Sequence, residues 1–345
     1  MQKDISILFY ISASNGIGLG HLVRCHAIAL AHSAQIDADV ELKPTFTFAA
    51  DDRQLATEVT DGHYTVISPD EVLRHNYDII ITDYLELSLE KQHELKKQCK
   101  LLVGINDSDP GPFAFDLLFR PNILILEGPA FVNSDSKLYS GADYMLLHPL
   151  YALTREMDDE FKTDFAERTD SITVCFGGSD PANLTMRTVE ALAEVLPYHI
   201  IHLITGAGYA HLDELKKLLK NGKFSKFMHQ HNVSTLAAIL PMSKLAIISG
   251  GTLLYECCAS GTPAITICQN QEQSDEANIF ANKGTVLNLG LHDNVDERDI
   301  TIEVGKLATN QQQLNKMNDS GEELISGNGA ILTLKTILGQ FSTEK

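Results

Sequence analysis

Ile5-Ser-Ile-Leu-Phe-Tyr-Ile-Ser12 runs through Ala13-Ser-Asn into Gly16-Ile-Gly18-Leu-Gly20-His21-Leu-Val-Arg24, and this stretch decides the fold class. The first run is apolar and rich in β-branched residues, too short for a core helix, and reads as a buried strand. The glycines form the turn, and His21–Ser33 has helical spacing. A buried strand, a glycine turn and a helix in that order open a parallel α/β sheet.

The alternation continues outward. Thr45–Ala50, Tyr64–Ile67, Asp78–Thr82 and Leu101–Ile105 read as strands, with Gln54–Val59 and Leu89–Gln98 as helices between them. Tyr151–Asp170 is strongly charged, which predicts a solvated linker or surface helix. The pattern then restarts. Ser171–Phe176, Ile200–Thr205, Lys226–His229, Leu245–Ser249 and Ala264–Cys268 read as strands. Met186–Leu196, Leu212–Lys220, Thr235–Leu240 and Leu253–Ser260 read as helices, and the segment from about Glu297 is helical. A chain of 345 residues is long for one core. The expectation is a Rossmann-like domain over 1–152 and a second over 153–345 that includes the C-terminal helical segment.

Composition narrows the function. The formal net charge of −19 disfavours an extended nucleic-acid or anionic-lipid surface. It leaves room for a small anion held by backbone N–H groups at a helix N-terminus. The cysteines at 25, 99, 175, 257, 258 and 268 form no C-x-x-C pair and no zinc spacing, as in a reducing compartment. Ile5–Ala13 fits a first strand better than a signal peptide, and no segment reaches the roughly 18–20 apolar residues that span a bilayer. A soluble, cytoplasmic protein is expected.

Ligands of such sheets sit beyond the carboxyl ends of the strands, so the turns there are the candidate sites. In the first turn the third glycine of a dinucleotide fingerprint would stand at position 21, where histidine stands instead. The positive end of the helix disfavours imidazolium, leaving a neutral His21 able to accept a proton, with Arg24 along the same face. A glycine turn with an incidental histidine is the alternative. Ser249-Gly250-Gly251-Thr252 ends a strand and opens a helix capped by Gly261 and Pro263. Its N–H groups and hydroxyl suit an anion, and Glu256, one turn on, suits ribose hydroxyls. A tight turn with a surface glutamate is the bland reading. Gly177 and Gly178 end a third strand, and Asp180 reads as a helix cap with Pro181 at the first helical position. Gln269-Asn270-Gln271-Glu272 brings amides that suit sugar hydroxyls or acetamido groups, a polar loop being the alternative.

Other motifs are set aside. Asp107-Ser108-Asp109 has the D-x-D form of metal-dependent nucleotide-sugar enzymes but sits in a Pro/Gly turn, and no metal or cofactor is expected. Gly206-Ala-Gly208 is a strand-end turn, and His229 and His231 lack companions at ligand spacing. Cys257-Cys258 reads as core.

Read together, Gly18-Leu-Gly-His21-Leu-Val-Arg24-Cys25, Phe176-Gly-Gly-Ser-Asp-Pro-Ala-Asn183, Ile248-Ser-Gly-Gly-Thr-Leu-Leu-Tyr-Glu256 with Gly261-Thr-Pro263, and Asn270-Gln271 resemble the PseG-type UDP-sugar hydrolases of pseudaminic acid biosynthesis and their SpsG-like relatives. More distantly they resemble the MurG-like glycosyltransferases. The resemblance implies a GT-B fold, two Rossmann-like domains facing a central cleft. It further implies metal-independent hydrolysis of UDP-2,4-diacetamido-2,4,6-trideoxy-β-L-altropyranose to UDP and free sugar. His21 matches the general base, Glu256 the ribose-binding glutamate and Asn270 a sugar-contacting asparagine. Gly18, Gly20, Arg24, Asp83, Tyr84, Gly177, Gly178, Ser249, Gly250, Gly251, Thr252 and Gln271 complete the expected substrate site.

Departures fall in the first half. The family's Asp-x-Tyr is Asp83-Tyr84-Leu85, its paired Asp-Asp is Asn106-Asp107, and its boundary stretch is Leu146-Leu-His-Pro-Leu-Tyr151 without the family arginine and glutamate. A GT-B glycosyltransferase using the same UDP site is the alternative reading, and a silent nucleotide-sugar-binding protein a third. The UDP-sugar is the expected partner, with neither nucleic acid nor membrane insertion, and no oligomer is predicted.

Overall fold

A computed structural model describes residues 3–12, 20–34, 42–84, 86–105, 110–124, 128–156, 165–195 and 199–343. It divides into two units, residues 1–149 with 327–345, and residues 150–326.

The first unit is built from β1 (Lys3–Ile11), α1 (Gly20–Ala34), β2 (Leu42–Ala50), α2 (Arg53–Val59), β3 (Thr65–Ile67), β4 (Tyr77–Asp83), α3 (Leu89–Lys96), β5 (Cys99–Ile105), β6 (Leu117–Arg120) and β7 (Lys137–Ser140). The strands form one parallel sheet in the order β3-β2-β1-β4-β5-β6-β7. Strand alternation sends Leu8, Tyr10, Ile80 and Leu102 into one core with Val72 and with Leu95 of α3. Ile7, Phe9, Ile11, Ile79 and Ile81 are buried on the opposite face. Both faces being covered explains why these strands read as continuous apolar runs.

The second unit comprises α4 (Leu150–Glu156), β8 (Thr169–Cys175), α5 (Leu184–Val195), β9 (Ile200–Thr205), α6 (Leu212–Leu219), β10 (Phe227–His231), β11 (Ser243–Ile248), α7 (Thr252–Ala259), β12 (Ala264–Cys268), α8 (Gln271–Asn282), β13 (Val286–Leu291), α9 (Glu297–Ala308) and α10 (Gln311–Leu324). Its parallel sheet has the order β10-β9-β8-β11-β12-β13. In both units the strand order reverses next to the first strand, between β1 and β4 and between β8 and β11. These are the topological switch points of doubly wound sheets, where ligands are expected.

The chain then returns to the first unit as α11 (Gly329–Thr343), which packs on α1. A Cβ on Gly329 would lie 2.1 Å from the Met145 carbonyl oxygen, so only glycine lets this helix start there. The expected continuous second domain to residue 345 is therefore corrected. The division falls at Pro149/Leu150, where 152/153 was expected, and residues 327–345 belong with the first unit.

Two further corrections concern polarity. The charged stretch before β8 is not uniformly solvated: Arg168 is buried, its guanidinium donating to the carbonyls of Ser243, Ser260 and Gly261 and lying over the Phe165 ring. Arg155 likewise donates to the carbonyls of Glu322 and Ile325 at the end of α10. Cations at helix C-termini satisfy carbonyls that have no partner within the helix. Thr235–Leu240, expected as a helix, is turns leading to a short 3₁₀ segment at Leu240–Met242. Among the described residues no helix is long and apolar enough to cross a membrane.

Candidate active site

At the first switch point, β1 and β4 end side by side, Ile11 in register with Asp83 and the Ser12 N–H donating to the Asp83 carbonyl at 3.3 Å. α1 begins at Gly20 and lays His21, Arg24 and Cys25 over this end. Asp83 is fully buried, which requires partners for its charge. They come from α1. His21 Nδ1 lies 2.6 Å from Oδ1, Arg24 Nη2 donates to Oδ1 at 2.8 Å, and Arg24 Nε donates to Oδ2 at 3.1 Å. The Cys25 thiol stands 4.0 Å from Oδ2, and burial next to this carboxylate pushes it well above the usual thiol range. The His21 side chain keeps 11% exposure, so it is not sealed from the surface.

Tyr84, next in the chain, faces the other way. Its ring stacks on Tyr10 with centroids 5.0 Å apart and packs on the core that holds Leu95 and Leu102. Burial raises its hydroxyl above the usual phenol range. Asp83 and Tyr84 were both expected on the substrate. The structure buries Asp83 behind His21 and Arg24 and packs the half-buried Tyr84 ring against Tyr10, on the other side of the strand end. Gly18 and Asp107–Asp109 lie outside the described residues.

At the second switch point four strand-end turns meet. Gly177, at φ 83°, faces the Ser249 hydroxyl. Gly178 abuts Gly206 so closely that a Cβ on Gly206 would lie 2.4 Å from the Gly178 Cα, and Gly208 N–H donates to the Gly178 carbonyl. Gly250 abuts Gln273 at the start of α8, and Gln269 joins Asp180 through a 2.9 Å hydrogen bond. The turns of Gly177–Asp180, Gly206–Gly208, Ser249–Thr252 and Gln269–Gln271 thus form one tied rim.

The helices that follow these four turns differ at their N-termini: α5 and α8 carry side-chain caps, whereas α6, behind His211, and α7 do not. Asp180 accepts from the N–H groups of Leu184 and Thr185, so α5 is capped by its own carboxylate. The capping reading of Asp180 holds, although the helix starts at Leu184 and not at Pro181. Asn270 caps α8 by accepting from Gln273 N–H at 2.9 Å, and Gln271 bonds Asp275 along the same helix. The stretch from Asn270 is therefore the first turn of a helix and not a polar loop, with both amides still at the surface. α7 has glycine at its cap, Gly251 at φ 80°, and no side-chain cap hydrogen bond. No cap side chain accepts from its first N–H groups, and the Leu254 N–H donates to the Gly251 carbonyl.

One turn below, the Glu256 carboxylate has no hydrogen-bond or ion-pair partner among the described residues. Burial pushes its pKa up from the ordinary glutamate range to about 7. Tyr151, fully buried, and Cys175 and Cys257 lie in its electrostatic surroundings. The cysteines at 25, 99, 175, 257, 258 and 268 are all free thiols. Among the described residues no group of three or more His, Cys, Asp or Glu is placed to hold a metal ion.

Sequence reasoning missed the partnership of Asp83 with His21 and the helix after Asn270. The second carried a signal: Asn270-Gln-Glu-Gln273 is a cap spacing. The first did not, because residues about sixty apart meet only through the sheet.

Residues 172–327 match the model of the glycosyltransferase family 28 C-terminal domain. The spore coat polysaccharide biosynthesis protein SpsG of Bacillus subtilis (strain 168) is 23% identical over 328 residues, covering 91% of this chain and 92% of its own length. The UDP-2,4-diacetamido-2,4,6-trideoxy-beta-L-altropyranose hydrolase of Campylobacter jejuni is 23% identical over 289 residues, covering 81% of this chain and 97% of its own. Among solved structures, Acinetobacter baumannii MurG superposes with a TM-score of 0.61 at 12% identity, covering 97% of this chain and 99% of that one. HepE of Anabaena, in complex with UDP and glucose, gives 0.57 at 11% identity, covering 99% and 100%. These likenesses show the GT-B fold, and the SpsG-like, PseG-type resemblance read from the ordered motifs is borne out.

Proposed function

We propose that this chain is an enzyme that hydrolyses a UDP-sugar at its anomeric carbon, UDP-2,4-diacetamido-2,4,6-trideoxy-β-L-altropyranose or a close relative. The observation that carries the reading is His21, held at the first switch point by a fully buried carboxylate while its side chain stays partly exposed. In the reaction, His21 takes a proton from water, the water oxygen bonds to C1, and the C1–O bond breaks with its electron pair leaving on UDP. Attack opposite the leaving group inverts the anomeric centre. The second unit holds the UDP. The uncapped N-terminus of α7, from Gly250 to Thr252, takes the diphosphate, and Glu256 takes the ribose hydroxyls. Gly177, Gly178 and Ser249 line the same rim, and Asn270 and Gln271 meet the sugar.

The division at Pro149/Leu150 supports separate roles, with the base in the first unit and the nucleotide site in the second. One observation favours a second reading. The match of residues 172–327 to a glycosyltransferase domain fits transfer of the sugar to an acceptor hydroxyl in place of water.

The test is UDP release from purified protein given UDP-sugars, without acceptor and with EDTA. Release from a 2,4-diacetamido-trideoxy substrate is expected. Release only on addition of an acceptor establishes transfer instead, and no release with any such sugar rejects the hydrolase.

A further inference from the structure

The contacts of Asp83 fix more than the position of His21. The Oδ1 atom lies 2.6 Å from His21 Nδ1, closer than an oxygen and a nitrogen can approach without a hydrogen between them. A neutral ring protonated on Nε2 would point a lone pair from Nδ1 at a carboxylate oxygen. Only a ring carrying its hydrogen on Nδ1 turns this contact into a charge-assisted bond.

Arg24 tests that reading internally, because its Nη2 also lies 3.1 Å from Nδ1. That nitrogen cannot accept from arginine while it donates to aspartate. The carboxylate is nearer and anionic, and Arg24 already has better acceptors in Oδ1 at 2.8 Å and Oδ2 at 3.1 Å. Arginine and histidine are therefore parallel donors to one carboxylate. Arg24 serves as its counter-ion, satisfying a charge that is buried to zero exposure.

We propose that Asp83 is a positioning residue that locks His21 in the Nδ1–H tautomer, leaving Nε2 as the ring's proton acceptor, and that Arg24 is the counter-ion holding Asp83 in place. The catalytic consequence rests on the hydrolase reading above, whereas the tautomer is a property of the resting protein. Asp83 and Arg24, both expected to touch the substrate, then act through His21. The arrangement also explains why the two residues sit where substrate contact is poor: they come from a buried strand end and the helix face laid over it.

The test begins with the wild-type chain labelled with ¹⁵N-histidine, in long-range ¹H–¹⁵N spectra at a pH where the ring is neutral. The His21 signals are identified by their loss in His21→Ala. Nδ1 is expected protonated and Nε2 bare, and a His21 carrying its hydrogen on Nε2 overturns the proposal whatever the activity. In Asp83→Ala the Arg24 donor is the hydrogen-bonding neighbour left for Nδ1 among the described residues, so the ring is expected to switch to Nε2–H. Turnover of the UDP-sugar should then fall about 10²–10⁴-fold in kcat with KM within about threefold. An Asp83→Ala protein that keeps its kcat overturns the role. If no UDP-sugar is turned over at all, the hydrolase reading fails while the wild-type spectrum still decides the tautomer.

Discussion

Gly250 rests directly on Gln273: a Cβ built on the glycine would lie 2.6 Å from the Gln273 Cβ and 2.9 Å from its carbonyl oxygen. These are not the far atoms of a flexible side chain. They belong to the first turn of α8, which Asn270 caps and whose Gln273 side chain accepts from the Gln269 N–H. Gly250→Ala should therefore push α8 away from the turn that opens α7. The expected result is a loss of about 1–3 kcal/mol in stability, the range for overpacking, with UDP affinity reduced at least about tenfold. Urea unfolding and calorimetric titration with UDP measure the two. Gly178→Ala, whose new Cβ meets nothing within 4 Å, is the steric contrast and should cost little stability.

Glu256 predicts a pH dependence with a definite sign. Burial raises its folded pKa to about 7, above that of an exposed glutamate in the unfolded chain. Between those values the folded state holds a proton that the unfolded state has released, so stability falls as pH rises through this window. Glu256→Gln removes the titration. It should match the wild type near pH 4.5 and exceed it by about 1–3 kcal/mol at pH 8, in urea unfolding of the full chain. UDP should bind the variant more weakly. A stability difference independent of pH would show that Glu256 does not titrate in this way, and unchanged UDP affinity would remove it from the ribose site.

What the sequence disclosed follows from burial. β1, β4, β5, β8, β11 and β12 are covered on both faces, so each reads as an apolar run, and the turns after β1, β8 and β11 stood out by their glycines. β7 is an edge strand with Lys137, Leu138 and Ser140 exposed, and its pattern carries no hydrophobic signal. α8 buries only Ser274, Ala277 and Phe280 of its strongly polar sequence, so its amides read as a loop. β13 closes the other sheet edge with mostly half-buried residues. The role of Asp83 was illegible for another reason. It ends an isoleucine run as a strand-end polar residue, and nothing local says that a helix dozens of residues earlier will bury it.

Arg168 turns the same lesson into a measurement. In sequence it is one charge in a charged run, yet it is 8% exposed and donates at 2.9 Å to Ser260 O and at 3.1 Å to Gly261 O. Those carbonyls end α7, and burial pulls the guanidinium pKa down to about 10. Arg168→Met keeps much of the packing on Phe165 but leaves the helix-end carbonyls without this donor. A loss of about 2–4 kcal/mol is expected, in the range for breaking a buried charged hydrogen-bond set. A variant as stable as wild type would mean that water replaces the guanidinium at the end of α7.

His21→Ala separates catalysis from folding and from nucleotide binding. Removing the ring takes one of the contacts to Asp83 but leaves both Arg24 bonds, so the buried carboxylate keeps its counter-ion. The His21 side chain is 11% exposed, so some packing is also lost with it. Stability should therefore fall by about 1–2 kcal/mol, within the usual range of single substitutions. UDP, assigned to the second unit, should bind within about threefold of wild type, because the hydrogen bonds described for the α7 rim do not include His21. Turnover should fall by about 10²–10⁴-fold, the usual contribution of a positioned general base. Retained turnover would take His21 out of the mechanism, whereas a parallel collapse of UDP affinity would mean that the histidine holds the nucleotide and does not activate water.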